Sequence, residues 1–403
     1  MDESEEERDE IQTDEDDELP EEVLPAQLNR ISLSSTDWTT ETILNQLERG
    51  NIDLSPRFQR RDAWKRDRKS RFIESLILNL PVPQIVLAEH KDQRGKFLVL
   101  DGKQRLTALL KFAGTAAEGE ELNGFTLSRM EVLKHLDRRG YSDLVTDPVL
   151  AADLDAFHNQ TIRTVVIRNW ESEALLHLIF VRLNTSSVAL APQELRQALF
   201  PGEFSNYVDD FAYRSSLLKR YMGLQHADYR MRDVEILLRY LAFSFFIGRY
   251  SGNMSKFLND TTEELNGQFA RRKGVIEDAA KTFEAALSAS IEIFGIKQVA
   301  RTWNGHYFES ARNRAILDVL LYYFSDPEVR SEALQKSEAV VEKYKDLSAH
   351  DYRFRSATFA TTGSFSATQD RFNLWGEALA EILDAQVELP NWNAGRGQEI
   401  SAS

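Results

Sequence analysis

The segment that most constrains the fold is a short apolar run that ends in Asp-Gly and continues as a helix. Residues 97–100 read Phe-Leu-Val-Leu, which predicts a buried strand, and Asp101-Gly102 ends it. From residue 103 onward, leucines recur on one helical face. A strand that turns through glycine into a helix directs backbone N–H groups and the positive end of the helix dipole toward the turn. The pattern predicts a phosphate site, with an ordinary strand–turn–helix bearing solvated charges as the alternative.

Several blocks resemble, in the right order, the N-terminal domain family of GmrSD-type restriction endonucleases. Residues 101–105, Asp-Gly-Lys-Gln-Arg, are similar to the DGQQR signature of that family. The pattern G-x-x-R-x-x-A at 102–108 also matches ParB phosphate-binding boxes. Further blocks that match lie at 56–64, 70–83, 180–185 and 190–196. Several ordered blocks are more specific than a single short motif.

The resemblance implies a ParB/sulfiredoxin-like α+β domain that binds a nucleoside triphosphate with Mg²⁺. In this family the Gln-Arg of the first block lies beside the DGQQR turn. The implied nucleotide-binding residues are Gln59, Arg60, Asp101, Gly102, Lys103, Gln104, Arg105 and Thr107. If hydrolysis occurs, Asp101 and Arg105 are the candidate catalytic residues. Positioning of the nucleotide and neutralisation of its charge would then supply most of the catalysis. Asp101 is the candidate Mg²⁺ ligand, with helix capping as its structural alternative.

Two positions depart from the family pattern. Lys103 stands where the family usually has Gln, and Ser186-Ser187 stands where Gly-Gly usually follows Asn-Thr. Lysine adds a phosphate donor but removes the amide acceptor, so binding is better supported than hydrolysis. Serine adopts positive φ angles less readily than glycine, so we expect a different loop conformation there.

A basic segment lies at residues 57–71, where eight Arg or Lys residues stand against two Asp residues. Phe58 and Trp64 are interleaved with these charges. The segment could contact nucleic-acid phosphates, which position a protein without reading sequence. A solvated helix face is the alternative. The candidate DNA contacts are Arg61, Lys65, Arg66, Arg68 and Lys69.

A second candidate loop follows the predicted helix at 171–183. Arg182, Asn184 and Thr185 form it, within the block that resembles the family's Arg-Leu-Asn-Thr loop. An equally good interpretation is a helix end in which Asn184 adopts the left-handed conformation.

Several other classes of site are excluded by the residues present. The chain has no cysteine, which excludes disulfides, a thiol nucleophile and Cys-based zinc sites. Its seven histidines are scattered without metal-ligand spacing. Gly95 and the Gly102-Lys103 pair have the wrong spacing for a Walker A loop. The family often carries a His-Asn-His nuclease, but the C-terminal half shows no such cluster. We therefore expect a partner to cut DNA.

The net charge of −15 is unevenly distributed. Residues 1–22 contain fourteen acidic residues and one Arg, whereas the remainder has 50 acidic and 48 basic residues. Such a tail buries too little apolar surface to fold alone. It is either a disordered solubilising tail or a competitor of nucleic acid for a basic surface. The acidic start and the lack of a long apolar run predict no secretory signal, no membrane span and a cytoplasmic location.

Four regions are expected: an acidic disordered tail at 1–25, the ParB/sulfiredoxin-like domain at 26–202, an all-α domain at 203–390 and a loose tail at 391–403. The predicted strands of the first domain are 84–88, 97–100 and 161–167. Its predicted helices are 40–47, one that starts in the later half of 57–71 and runs to residue 80, 103–112, 171–183 and 192–200. The predicted second-domain helices are 232–246, 262–294, 311–324, 328–345 and 369–383.

The resemblance implies the sensor or regulatory component of a prokaryotic defence system against foreign or modified DNA. The leading alternative is a nucleotide-gated or DNA-binding adaptor without turnover, and a protein-binding scaffold is a third. DNA and a partner nuclease or other defence subunit are the expected partners. The oligomeric state is left open, with a homo-oligomer among the options.

Overall fold

The computed structural model describes residues 31–52, 54, 64–114, 124–170, 175–176, 179, 191–359 and 362–393. The acidic tail at 1–25, most of the predicted helix at 171–183 and most of the C-terminal tail lie outside these residues. The chain divides into two compact units, and the boundary in the sequence falls between Leu199 and Phe200.

The first unit is built on a four-stranded mixed sheet. Its strands are β1 (Ser32–Thr39), β2 (Ile85–Glu89), β3 (Phe97–Asp101) and β4 (Thr161–Arg168). The spatial order is β1-β4-β2-β3, in which only β4 and β2 are parallel. The predicted strands at 84–88, 97–100 and 161–167 are confirmed. β1 was not predicted, because it is an edge strand of mostly exposed polar residues without apolar alternation.

Helices cover both faces of this sheet. They are α1 (Thr40–Glu48), α2 (Arg66–Ile77), α3 (Lys103–Ala113), α4 (Tyr141–Thr146), α5 (Ala151–Asn159) and α6 (Pro192–Leu199). Along β3, Phe97 and Val99 belong to one buried cluster, whereas Leu98 and Leu100 belong to another. Since alternate residues of a strand point to opposite faces, β3 is buried on both sides. The sheet therefore holds the end of β3 and the start of α3 firmly in place.

The second unit is mostly helical. Its helices are α7 (Glu203–Arg214), α8 (Ser216–Met222), α9 (Arg232–Phe246), α10 (Met254–Phe294), α11 (Arg314–Phe324), α12 (Pro327–Gln335), α13 (Ser337–His350), α14 (Tyr352–Phe359) and α15 (Phe365–Ile382). Arg239 of α9 donates two hydrogen bonds to Asp318 of α11, at 3.1 Å to Oδ1 and 2.6 Å to Oδ2, and both side chains are 4 % exposed. This buried ion pair links two central helices of the unit.

The prediction of an all-α second domain is wrong in one respect. Strands β5 (Arg301–Trp303) and β6 (Phe308–Arg312) form an antiparallel hairpin. These strands are too short and too polar to carry a periodic signal. They are stabilised instead by contacts made in the folded unit, such as the edge-to-face packing of Trp303 on Phe308. The helix predicted from residue 311 accordingly begins at Arg314, after the Asn313 cap.

The protein is therefore an α+β protein with a small mixed sheet and a mostly helical remainder. In the part of the chain that the structure describes, no helix combines the length and apolar character needed to cross a bilayer.

Candidate functional site

The candidate site is the turn at residues 101–105, where β3 leads directly into α3. Gly102 connects the two elements with a φ of +100°, in the left-handed region that favours glycine. A Cβ atom there would lie 3.1 Å from Ile85 Cγ1 and 3.3 Å from Arg105 Nη2. Both backbone conformation and space therefore require glycine, which lets Arg105 lie against the backbone of the turn.

Asp101 and Arg105 form an ion pair across this glycine. Arg105 Nη2 donates to Asp101 Oδ2 at 2.8 Å and to the carbonyl oxygen of Gln84 at 2.9 Å. The backbone N–H of Gly102 donates to Asp101 Oδ1 at 2.7 Å. Each carboxylate oxygen thus accepts a hydrogen bond. The Arg105 side chain is only 9 % exposed, and its Nε has no hydrogen-bond partner among the described residues.

Lys103 is committed to a second ion pair. Its Nζ contacts Oε1 of Glu194, and the two residues are 5 % and 4 % exposed. Glu194 lies in α6, and its Oε2 accepts the backbone N–H of Ala191 at 2.8 Å. Sequence reasoning missed Glu194 as a neighbour of the turn, although its block at 190–196 matched the family. The described acidic and basic side chains of the turn are therefore neutralised in pairs.

The remaining predicted residues of the turn differ in exposure. Gln104 is half-buried, and its Oε1 accepts the backbone N–H of Trp64 at 3.3 Å. This bond brings Trp64, two residues before the start of α2, close to the turn. Thr107 is 1 % exposed and lies inside α3. The structure thus brings Asp101, Gly102, Lys103, Gln104 and Arg105 together and places Thr107 in the interior behind them.

Six predicted site residues lie outside the described part of the chain. They are Gln59, Arg60, Arg61, Arg182, Asn184 and Thr185. Their proximity to the turn therefore stays a prediction.

The candidate DNA contacts in α2 and its N-terminal flank also differ in their exposure to solvent. Lys65, Arg66 and Arg68 are exposed, but Lys69 is only 8 % exposed and is not a surface cation. Arg66 Nε donates to the carbonyl oxygen of Thr126 at 2.7 Å. The guanidinium of Arg68 lies over the ring of Trp64, 4.8 Å from its centroid.

The surroundings of Asp101 do not favour direct coordination of Mg²⁺, although each of its carboxylate oxygens retains a lone pair. Both of its oxygens already accept hydrogen bonds, one of them from the cationic Arg105. Within the described ranges, no group of three His, Cys, Asp or Glu residues could hold a metal ion. The metal role of Asp101 stays a prediction.

The comparison with protein families bears on this part of the chain. Residues 40–201 match the family described as GmrSD restriction endonuclease, N-terminal domain. This range contains β2, β3, β4, the turn at 101–105 and Glu194, so the family resemblance inferred from the sequence blocks is confirmed. The searches of curated proteins and of solved structures found no match.

Proposed function

We propose that this chain is the nucleotide-binding regulatory component of a restriction system. The match of residues 40–201 to the family described as GmrSD restriction endonuclease, N-terminal domain, supports a function related to such a system. The turn at 101–105 is the nucleotide site in this proposal. Nucleotide occupancy controls a response to DNA, and a separate nuclease cuts it.

The observation that carries this proposal is the environment of Arg105. Its guanidinium is almost fully buried at the N-terminal end of α3, and its Nε–H has no hydrogen-bond acceptor among the described residues. Buried donors normally have partners, and a guanidinium matches the geometry of phosphate oxygens. A phosphate at this position would also interact favourably with the positive end of the α3 dipole. Arg105 would exchange the Oδ2 atom of Asp101 for a phosphate oxygen.

Lys103 favours a second candidate function, an adaptor that binds nucleotide without hydrolysing it. Since Lys103 is paired with Glu194, a phosphate contact by Lys103 would require breaking a buried ion pair. Opening a buried pair leaves an uncompensated charge and costs several kcal/mol. Arg105 is also paired, but its partner Asp101 is 20 % exposed and keeps contact with solvent, whereas Glu194 is 5 % exposed. The turn therefore supports binding through Arg105 more directly than charge neutralisation by two cations during hydrolysis.

Equilibrium binding of ATP, GTP, CTP and UTP to the full chain tests the site. We expect at least one to bind, and Arg105→Gln to weaken that binding by about tenfold or more, because a charge-assisted phosphate contact is worth about 1.5–3 kcal/mol. Arg163→Gln is the matched control, since this exposed arginine of β4 pairs with Asp37 of β1. Binding by none of the four nucleotides, or equal binding by all variants, would reject the proposed site.

Phosphate release with Mg²⁺, with and without DNA, separates the two functions. Turnover that is stimulated by DNA and lost in Arg105→Gln identifies a nucleotide-hydrolysing sensor. Normal binding without turnover identifies the adaptor.

A further inference from the structure

A loop at residues 126–139 is fastened along α2 by a buried carboxylate. Glu74 of α2 is only 4 % exposed. Its oxygens accept the backbone N–H groups of Glu131 at 3.0 Å and of Val132 and Leu133 at 2.8 Å. One carboxylate thus accepts three consecutive backbone N–H groups of the loop, each of which needs a hydrogen-bond partner where the loop packs on α2. The middle of the loop is therefore held in a fixed position on the helix.

The first part of the same loop is bonded to the start of α2. Ser128 Oγ donates to Asp67 Oδ1 at 3.0 Å, and the N–H of Ser128 donates to Ser70 Oγ at 3.0 Å. Arg66 contributes its bond to the carbonyl oxygen of Thr126. Helix and loop thus form one surface whose geometry is set before any partner binds.

This surface is strongly cationic. Residues 64–74 and 126–139 contain nine Lys and Arg residues and four Asp and Glu residues. Glu74 is buried, Asp67 bonds Ser128 and Arg129, and Glu131 pairs with Arg71. We call the exposed cations the α2 surface: Lys65, Arg66, Arg68, Arg71, Arg129, Lys134, Arg138 and Arg139.

Two of these arginines lie in a backbone conformation that disfavours them. Arg129 has a φ of 55° and Arg138 a φ of 66°, both left-handed. The left-handed conformation costs about 1–2 kcal/mol for most residues, and Gly or Asn adopts it more readily. Arg129 pairs with Asp67, and its side chain is 79 % exposed, so that pair offsets little of the cost. Strain at exposed cations points to a functional use of their charge.

We propose that the α2 surface binds the phosphate backbone of double-stranded DNA. The choice of DNA rests on the proposed function in a restriction-related system, whereas the position of the surface rests on the contacts above. Duplex DNA carries about one negative charge per 1.7 Å of helix axis. A fixed array of cations binds such a polyanion without reading its sequence. The loop at 126–139 contributes four of the eight cations of the α2 surface, and α2 with its N-terminal flank contributes the other four.

The test is the double substitution Arg129→Asn and Arg138→Asn in the full chain. Asparagine tolerates the left-handed conformation, so thermal stability should hold or rise. Affinity for a duplex of mixed sequence should fall about tenfold or more, and the slope of log K against log salt should become shallower by about 2, about 1 per lost phosphate contact. Nucleotide affinity, measured separately, should not change.

The control is Arg94→Gln with Arg163→Gln, which removes two exposed charges of the same unit outside the α2 surface. We expect this control to bind duplex DNA as the wild type does. Equal losses in both double variants, unchanged binding in the test variant, or no DNA binding by the wild type would overturn the proposal. Clear preference for single-stranded DNA would also overturn it. Because nucleotide binding is a separate readout, each of these results leaves the nucleotide site to be judged on its own.

Discussion

Lys103 and Glu194 form a buried ion pair between residues 91 positions apart, which joins the start of α3 to α6. The pair fixes the orientation of the lysine that stands where related sequences usually have glutamine. It also links two matching blocks of the family, the turn at 101–105 and the block at 190–196.

The first prediction concerns this pair. Glu194→Gln should lower the free energy of unfolding by about 3–5 kcal/mol, because it removes the carboxylate charge that the buried ammonium group of Lys103 contacts. The double variant with Lys103→Gln should recover most of the loss, since two neutral amides can bond each other. Urea denaturation of the single and double variants gives the coupling energy. Additive losses would show that the two side chains do not depend on each other.

A second prediction concerns Asp101 as an internal competitor of phosphate. Asp101→Asn removes the negative charge that Arg105 contacts, while Oδ1 can still accept the Gly102 N–H. Nucleotide affinity measured without divalent metal should therefore rise, by about fivefold or about 1 kcal/mol. Isothermal titration checks this. A fall in affinity would instead favour a direct role for Asp101 in holding the nucleotide.

The third prediction compares two glycines that flank α3. Gly102→Ala and Gly114→Ala both place a side chain at positive φ, +100° and +70°, and should each cost about 1 kcal/mol of stability. Only at Gly102 would the new Cβ press on Ile85 and Arg105, whereas nothing lies within 4 Å of the Cβ position at Gly114. Gly102→Ala should therefore be the more destabilising, and it alone should weaken nucleotide binding. Equal effects of the two substitutions would contradict the crowding at the turn.

Glu74 supplies a prediction with a defined pH dependence. Burial alone would raise the pKa of its carboxyl, but the backbone N–H groups of Leu133, Glu131 and Val132, with the charge of Lys134, hold the pKa below its ordinary value of 4.5. Because the folded pKa is depressed, the ionised group stabilises the fold above pH 4.5, and this contribution is lost as pH falls through the folded pKa.

Glu74→Gln should thus be destabilised near neutral pH by about 1–3 kcal/mol, because an amide offers one acceptor oxygen where the carboxylate has two. The difference between wild type and variant should shrink at acidic pH. Denaturation curves from pH 7 down to pH 3 measure it. A difference that is independent of pH would show that the charge of Glu74 contributes nothing.

The last prediction concerns the second unit. Asp318→Asn should lower the free energy of unfolding by about 3–5 kcal/mol, because it removes the carboxylate charge that the buried Arg239 contacts. Asp260→Asn is the control: its pair with Lys256 on α10 is more than half exposed on both sides, and losing it should change stability by about 0.5 kcal/mol or less. Chemical denaturation of both variants separates these outcomes, and similar small losses would show that the buried pair is dispensable.

The elements with strong local periodicity were predicted well. The helix at 232–246 was placed at the observed bounds of α9, and the helix at 40–47 differs from α1 by one residue. Residues 328–345, predicted as one helix, form parts of α12 and α13, which are separated at Lys336. Apolar spacing alone continues across such a short break. β1 was missed because pairing with the distant β4, and not its own pattern, makes it a strand. The β5–β6 hairpin was missed because its two strands are too short and too polar to carry a periodic signal.

Local sequence patterns alone predicted the strand, the glycine turn and the helix at 97–113, together with the family model that residues 40–201 match. Backbone dihedral preferences and amphipathic spacing are local properties, so a short window contains them. The distant partners of the charges are set by tertiary contacts: the carbonyl oxygen of Gln84 for Arg105, and Glu194 for Lys103. It likewise placed the loop at 126–139 along α2 through Glu74. Those contacts depend on which elements pack together, and no local pattern encodes that choice.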